Sequence, residues 1–195
     1  AAERGARLVA SDIRPARAKR VRDAIQRASL PVSDPQAPGA QAASEVSVIA
    51  ADGRRVPWPP GTFDRVLADV PCSGLGSLRR RPEARWRKTP ADVEALAALQ
   101  RELLDAAMDS VRPGGVVAYV TCSPHRAETC DVVASVVGRR GDITVLDAPA
   151  VLAEVPGLRV PEPLGSHDSG SSRFAQFWPH RHGTDAIFLA LLRRN

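Results

Sequence analysis

Long apolar runs are missing from this 195-residue chain: no stretch approaches the roughly 18 apolar residues that a membrane-spanning helix needs. No signal-peptide pattern opens it either, so no secretory leader is expected. Cysteine is scarce, and Cys72, Cys122 and Cys130 form an odd set without framework spacing. That excludes a secreted disulfide scaffold and leads to the expectation of a reducing cytoplasm. Cys122 and His125 are spaced like half of a zinc site, but no second ligand pair accompanies them, so no metal is expected. An internal repeat is also lacking. Solenoid, membrane and disulfide classes therefore drop out.

What is present suits one α/β domain over residues 1–195. The composition, 44% apolar and 25% charged, is that of a globular protein with a sizeable core. A net charge of +5 favours a polyanionic partner. The charge is clustered and nearly all arginine, which suits bidentate phosphate contacts. One cluster holds Arg14, Arg17, Lys19, Arg20 and Arg22; the other holds Arg79, Arg80, Arg81, Arg85, Arg87 and Lys88. Trp86 within the second offers a stacking surface for an RNA base, although such a run is also compatible with a solvated face.

The chain is organised around Asp69-Val70-Pro71-Cys72-Ser73-Gly74-Leu75-Gly76. Phe63, Val66 and Leu67 before it read as a buried strand. The strand breaks into Pro71, Gly74 and Gly76, which places Asp69 and Cys72 at its carboxyl end, where open α/β sheets bind ligands. Alone, this is equally a turn with a capping Asp and a small buried Cys. A second strand, Gly115 to Val120, follows the Pro113-Gly114-Gly115 turn and stops at Thr121-Cys122-Ser123-Pro124. Two strands thus bring two cysteines to one sheet edge, which favours a nucleophilic thiol beside a carboxylate.

The rest alternates strands and helices. Arg7 to Ser11 is a strand ending at Asp12, followed by a helix from Pro15 with Ala18, Val21, Ala24 and Ile25 inward and its arginines outward. Residues 31–45 are proline-rich and aperiodic, and read as a mobile loop. Val46 to Ala50 is a strand ending just before Asp52. Thr89 and Pro90 open the clearest helix, with Val93, Leu96, Leu99, Leu103, Leu104, Ala107, Met108 and Val111 on its apolar face. Residues 127–137 read as another helix, and 143–146 and 186–192 as strands. Residues 151–183, rich in proline and glycine, are expected to form a loop region on the substrate side. The whole predicts a doubly wound, mostly parallel α/β sheet.

These residues resemble the Fmu/Sun (RsmB-like) family of RNA cytosine-C5 methyltransferases, which use S-adenosylmethionine (SAM). The matching stretches are Asp69-Val70-Pro71-Cys72-Ser73-Gly74, Arg81-Pro82-Glu83-Ala84-Arg85-Trp86, Arg112-Pro113-Gly114-Gly115, Tyr119-Val120-Thr121-Cys122-Ser123, Glu128, and Trp178-Pro179-His180-Arg181-His182-Gly183-Thr184-Asp185. They are collinear and span nearly the whole chain. The resemblance implies a Rossmann-like class I methyltransferase fold. It implies that Asp12 and Asp52 hold the SAM ribose and adenine, with Asp69 between cofactor and target base. Cys122 is then the nucleophile and Cys72 the residue that helps release product. RNA, with small-subunit rRNA foremost, is the implied substrate, met by Arg79, Arg80, Arg81, Arg85, Trp86, Arg87 and Lys88.

The residue types suit that chemistry. Carbon 5 of cytosine becomes nucleophilic once a thiolate adds to carbon 6, and a carboxyl group at N3 stabilises the adduct. Family members open this domain with a strand and a glycine-rich, lysine-bearing loop that grips SAM. The present sequence begins just before the Asp12 strand, so the sheet is expected to lack its first strand and the chain alone to bind SAM poorly and be inactive. The competing expectation is a non-catalytic RNA-binding or assembly module that keeps the fold.

Overall fold

The computed structural model describes residues 6–27, 32–33, 46–158 and 173–195. The chain divides into two units, Ala1–Pro57 and Trp58–Asn195.

In the first unit, β1 (Leu8–Asp12) leads into helix α1 (Pro15–Arg27), then β2 (Val32–Ser33) and β3 (Val46–Ala50). Pro15 sits at the first helical position, where its fixed φ is already helical and its missing N–H costs nothing. β3 is the central strand, parallel to β1 from Leu8 opposite Val46 to Asp12 opposite Ala50, and parallel to β2 on its other side. Val46 and Val48 are buried with Ala18 of α1 beneath them, and each valine contributes roughly 1.5–3 kcal/mol. Within the stretch 31–45 read as a loop, Val32 and Ser33 are therefore a strand; its other residues lie outside the described ones. The expected helix face is also corrected. Val21 is exposed, while Arg22 turns inward and its Nη2 donates to the Val48 carbonyl at 3.0 Å. A guanidinium on a long stem satisfies a strand carbonyl that valine cannot reach.

The second unit begins with β4 (Phe63–Asp69), a 3-10 turn (Leu75–Ser77), α2 (Ala84–Arg87), α3 (Pro90–Ser110) and β5 (Val111–Thr121). A second 3-10 turn (Arg126–Glu128), α4 (Cys130–Arg139), β6 (Ile143–Val145), α5 (Ala148–Ala153), β7 (Ala175–Gln176), α6 (Pro179–His182) and β8 (Phe188–Arg194) complete it. The sheet order is β4-β5-β8-β6, with β7 also on β8. β4, α3 and β5 form the expected parallel crossover, Asp69 standing opposite Val120. β8 runs antiparallel to β5, β6 and β7 while β4 and β5 pair in parallel, so this sheet is mixed, within the expected Rossmann-like α/β class. The reversal has a local cause. The Ala186 amide donates to the Gly76 carbonyl at 2.9 Å, so the chain enters β8 at the edge where β4 and β5 end and must run back.

α3 opens with a reciprocal capping box between Thr89 and Asp92, worth about 1 kcal/mol. Leu104 and Met108 from α3, Val117 and Tyr119 from β5, Val132 and Val136 from α4, and Phe188 and Leu192 from β8 fill the core. Several expected boundaries move. β5 starts at Val111, and its Arg112–Gly115 turn is a bulge inside the strand, since the register jumps between Phe63 and Arg65 of β4. Gly115 has to be glycine there: a Cβ would lie 2.8 Å from Arg112 O and 2.9 Å from Asp64 O. α4 begins at Cys130, after the 3-10 turn, rather than at 127. Residues 151–183 contain the end of α5, β7 and α6, while 159–172 lie outside the described residues.

β4 also departs from expectation. It is an end strand of its sheet; Val66 and Ala68 pack on the core, but Leu67 on the opposite face is 70% exposed. Among the described residues no helix is long and apolar enough to cross a membrane.

Candidate active site

Parallel pairing of β4 and β5 fixes where their side chains emerge. Asp69 ends β4, and the Val70 amide adds a last rung to Val120 O at 3.2 Å. The chain past each strand end then carries a cysteine. Cys72 Sγ and Cys122 Sγ lie 3.0 Å apart as free thiols, each half-buried. Sequence reading placed both on one sheet edge; the structure brings them into hydrogen-bonding contact.

Such a pair shares a proton. With the Cys72 S–H donating to it, Cys122 is drawn down to about 7, while burial and the negative charges of Asp69 and Asp185 work the other way. Cys72 moves up, first because it keeps the shared proton and then because it is buried. The contact favours the thiolate on one of the two sulfurs, with Cys122 the one lowered, and the thiolate is the form that attacks an electrophilic carbon. Partial desolvation lifts the Asp69 carboxyl above its ordinary range even though much of its surface is open. Cys130, half-buried at the start of α4, is raised by burial and belongs to the packing.

Gly76 closes the site from the side of β8. Its amide donates to Cys122 O at 2.9 Å and its carbonyl accepts from Ala186. A Cβ there would lie 2.6 Å from Cys122 O and closer still to Ala186 O, so no larger residue fits.

A buried polar group lies beneath the thiols; the sequence reading named Ser73, Tyr119, Ser123 and Glu128 only as matching residues and missed both Gln100 and their assembly into one group. Glu128, 0% exposed, accepts from the Ser73 amide at 2.7 Å and from Ser73 Oγ at 2.5 Å. Gln100 Nε2 donates to Glu128 Oε1 at 3.2 Å and to Pro71 O at 2.8 Å. The Tyr119 hydroxyl donates to Glu128 O at 2.8 Å and also lies 3.3 Å from Gln100 Oε1. Ser73 Oγ and Ser123 Oγ meet at 3.3 Å. The signal available in sequence was Gln100 itself, a polar residue one turn before Leu104. The buried face of α3 runs through Val93, Ala97, Gln100 and Leu104, whereas Leu96, Leu99 and Leu103 are only partly covered.

The arginine run divides. Arg80 Nε reaches both Asp185 oxygens at 3.1 and 3.0 Å, and Arg79 Nη2 donates to Gly183 O at 3.1 Å. These two tie the segment after Cys72 to the approach of β8. Arg81, Arg85, Arg87 and Lys88 are exposed, and Trp86 on α2 is 84% exposed. His182 packs rather than projecting: its Nδ1 accepts from the Trp178 amide at 2.9 Å and its ring meets Phe177 edge-on.

Asp12 and Asp52 each stand at the carboxyl end of a first-unit strand, β1 and β3. Asp12 Oδ1 accepts from the Arg14 amide at 2.8 Å, and Oδ2 has Arg17 only at 3.9 Å. Asp52 is paired with Arg54, whose Nη2 reaches Oδ2 at 2.8 Å and whose amide reaches Oδ1 at 3.0 Å. The Arg54 side-chain bonds draw Asp52 down to about 2. Among the described residues no group of three or more His, Cys, Asp or Glu is arranged to hold a metal ion.

A family model described as 16S rRNA methyltransferase RsmB/F matches residues 2–193. A putative methyltransferase of Mycobacterium tuberculosis is 55% identical over 150 residues, covering 76% of this chain and 30% of that protein. The ribosomal RNA small subunit methyltransferase B of Vibrio cholerae is 39% identical over 189 residues, 96% of this chain and 36% of that protein. The chain thus spans about a third of the length of these curated relatives. Among solved structures, NSun6 from Pyrococcus horikoshii with SFG superposes with a TM-score of 0.72 at 26% identity, over 96% of this chain and 41% of that one.

Proposed function

The chain belongs to the RsmB/F family of 16S rRNA methyltransferases, and from that premise we propose that it transfers a methyl group from SAM to carbon 5 of a cytosine in RNA, with small-subunit rRNA as substrate. One observation carries the reading. Two thiols sit 3.0 Å apart at the carboxyl ends of adjacent parallel strands, with Asp69 ending one of them.

In this reading Cys122 is the thiol that ionises and attacks. The Cys122 thiolate adds to carbon 6, forming a C–S bond and pushing electron density onto carbon 5. Asp69, raised by desolvation and so more readily protonated, donates to N3 and offsets the negative charge that the addition creates. After methylation the carbon-5 proton is lost to water, the electrons of that C–H bond re-form the C5–C6 double bond, the C–S pair leaves with Cys122 as its thiolate, and N3 returns its proton to Asp69. Cys72 is assigned to this release, in reach of the sulfur that departs.

SAM supplies an electrophilic methyl group when bound. Asp12 and Asp52 are the acceptors for its ribose and adenine, and Asp69 the third acidic residue. Asp12 suits hydroxyl donors because, among the described residues, its Oδ2 has only the distant Arg17. Asp52 fits once a donor replaces Arg54 on its oxygens. For RNA, Arg81, Arg85, Arg87, Lys88 and Trp86 offer exposed cations and a stacking face. Arg79 and Arg80 take part after giving up their present partners.

Amine methylation is the disfavoured chemistry, because it needs no thiol addition to the ring. RNA carrying tritium at carbon 5 of cytosine separates the two. The account expects tritium released in step with methyl transfer; methylation with tritium retained would overturn it.

A further inference from the structure

A 3.0 Å separation between two side chains carried on different turns needs a cause, and the backbone supplies only part of it. The Val70–Val120 rung fixes the strand ends, and the Gly76–Cys122 bond anchors the chain beyond Cys72. Between these points runs Pro71-Cys72-Ser73, outside the sheet and free of ladder bonds. Both neighbours of Cys72 are instead held from below. The Ser73 amide and hydroxyl are bound by Glu128, and the Pro71 carbonyl by Gln100, which is itself bound by Glu128. Ser73 Oγ also meets Ser123 Oγ, next to Cys122, and Ser123 Oγ accepts the His125 amide at 3.1 Å. Ser73 and Gln100, through which the other groups connect, both bond one fully buried carboxylate.

We propose that Glu128 is the positioning residue of the thiol pair, holding the Cys72 turn against the Cys122 turn so that one sulfur can donate to the other. Its meaning for catalysis rests on the proposed methyl transfer, but the geometry it creates does not. A carboxylate suits the post because its donors are neutral and already oriented. The Ser73 amide and Gln100 amide point at Oε1 and the Ser73 hydroxyl at Oε2. Buried charge is tolerable only when bonded this fully. Glutamine there would place an NH2 group where one of those donors now points, and alanine would leave the Ser73 amide without its acceptor.

The sign of the effect separates positioning from simple electrostatics. Cys122 is faced by Cys72 and Asp69 from the β4 side and by Asp185 with its partner Arg80 from the β8 side. Removing the Glu128 negative charge, with nothing else changed, would make the thiol easier to ionise and lower its midpoint. Loss of the clamp lets Cys72 withdraw its proton and raises the midpoint. The test is the pH dependence of iodoacetamide labelling at Cys122, read by peptide mass spectrometry in Glu128→Gln and Ser73→Ala, with thermal melting to register folding. We expect the Cys122 midpoint to rise by about one pH unit or more in Glu128→Gln and by about half a unit in Ser73→Ala. An unchanged or lowered midpoint in a folded Glu128→Gln overturns the proposal. Should that variant not fold, Ser73→Ala decides by the same criterion. Neither RNA nor cofactor enters this titration, so its failure would leave the tritium-release result standing, and the converse holds too.

Discussion

Acidic residues anchor both units, at strand ends in the first and in the turn after β5 in the second, but they are secured in opposite ways. In the first unit, Asp12 and Asp52 are met by groups two residues along, the Arg14 amide and the Arg54 side chain, on open surface. In the second, Glu128 is joined to Ser73 across 55 residues of sequence and to Gln100 across 28, wholly out of water. Local, exposed pairs are easily exchanged for a ligand's donors, because water and screening make each worth little. Long-range, buried bonds are not exchanged; they set geometry. The comparison fits the proposed roles, in which the first unit's carboxylates bind and the second unit's polar core aligns the thiols.

The largest expected effect is Cys122→Ala, which in the full-length gene product should lower methyl transfer by at least about 10³-fold. RNA affinity should stay nearly intact because phosphate contacts dominate it. Single-turnover transfer and a binding isotherm on the same variant check both halves, and retained activity would pass the nucleophile's role to Cys72. Gly76→Ala attacks the long-range closure directly. Its Cβ would be driven against the carbonyls of Cys122 and Ala186, and we expect roughly 2–4 kcal/mol of destabilisation in urea. Gly138→Ala, with nothing near its Cβ, is the control, where helix propensity predicts no loss.

Cys72→Ala sharpens the proton-sharing half of the comparison. Without its donor, Cys122 should titrate above its present value of about 7, towards the ordinary thiol value of 9.0. The thiolate is the form above the midpoint, so alkylation at pH 7 should slow, by roughly tenfold or more. An unshifted profile would mean the thiols do not communicate. The smallest effect belongs to the exposed pair. Arg54→Ala removes the main group that draws Asp52 down, so its carboxyl should rise from about 2 towards 3.8, as carboxylate NMR would read. Cys122 should not notice.

How much of this the sequence displayed follows the same local and long-range division. β3 and the start of α3 were legible to the residue, because an apolar alternation and the Thr89-Pro90 cap act over a few positions. The two cysteines at strand ends were legible for the same reason. The direction of β8 was not, since it depends on where Ala186 meets Gly76. Nor was the rotation of α3 towards Gln100: periodicity weighs leucines, and only the Glu128 and Pro71 partners make a glutamine the inward residue. Arg22 and Arg80 looked like members of solvated or RNA-facing clusters until their partners, Val48 O and Asp185, came within reach.

Covalent capture tests the central claim most directly. RNA bearing 5-fluorocytosine blocks the release step, because fluorine at carbon 5 cannot leave as the proton does. Incubated with the full-length gene product and SAM, it should leave a methylated nucleotide bonded through carbon 6 to the peptide containing Cys122. Mass spectrometry that finds the bond on Cys72, or methylated RNA with no protein attached, would contradict the account.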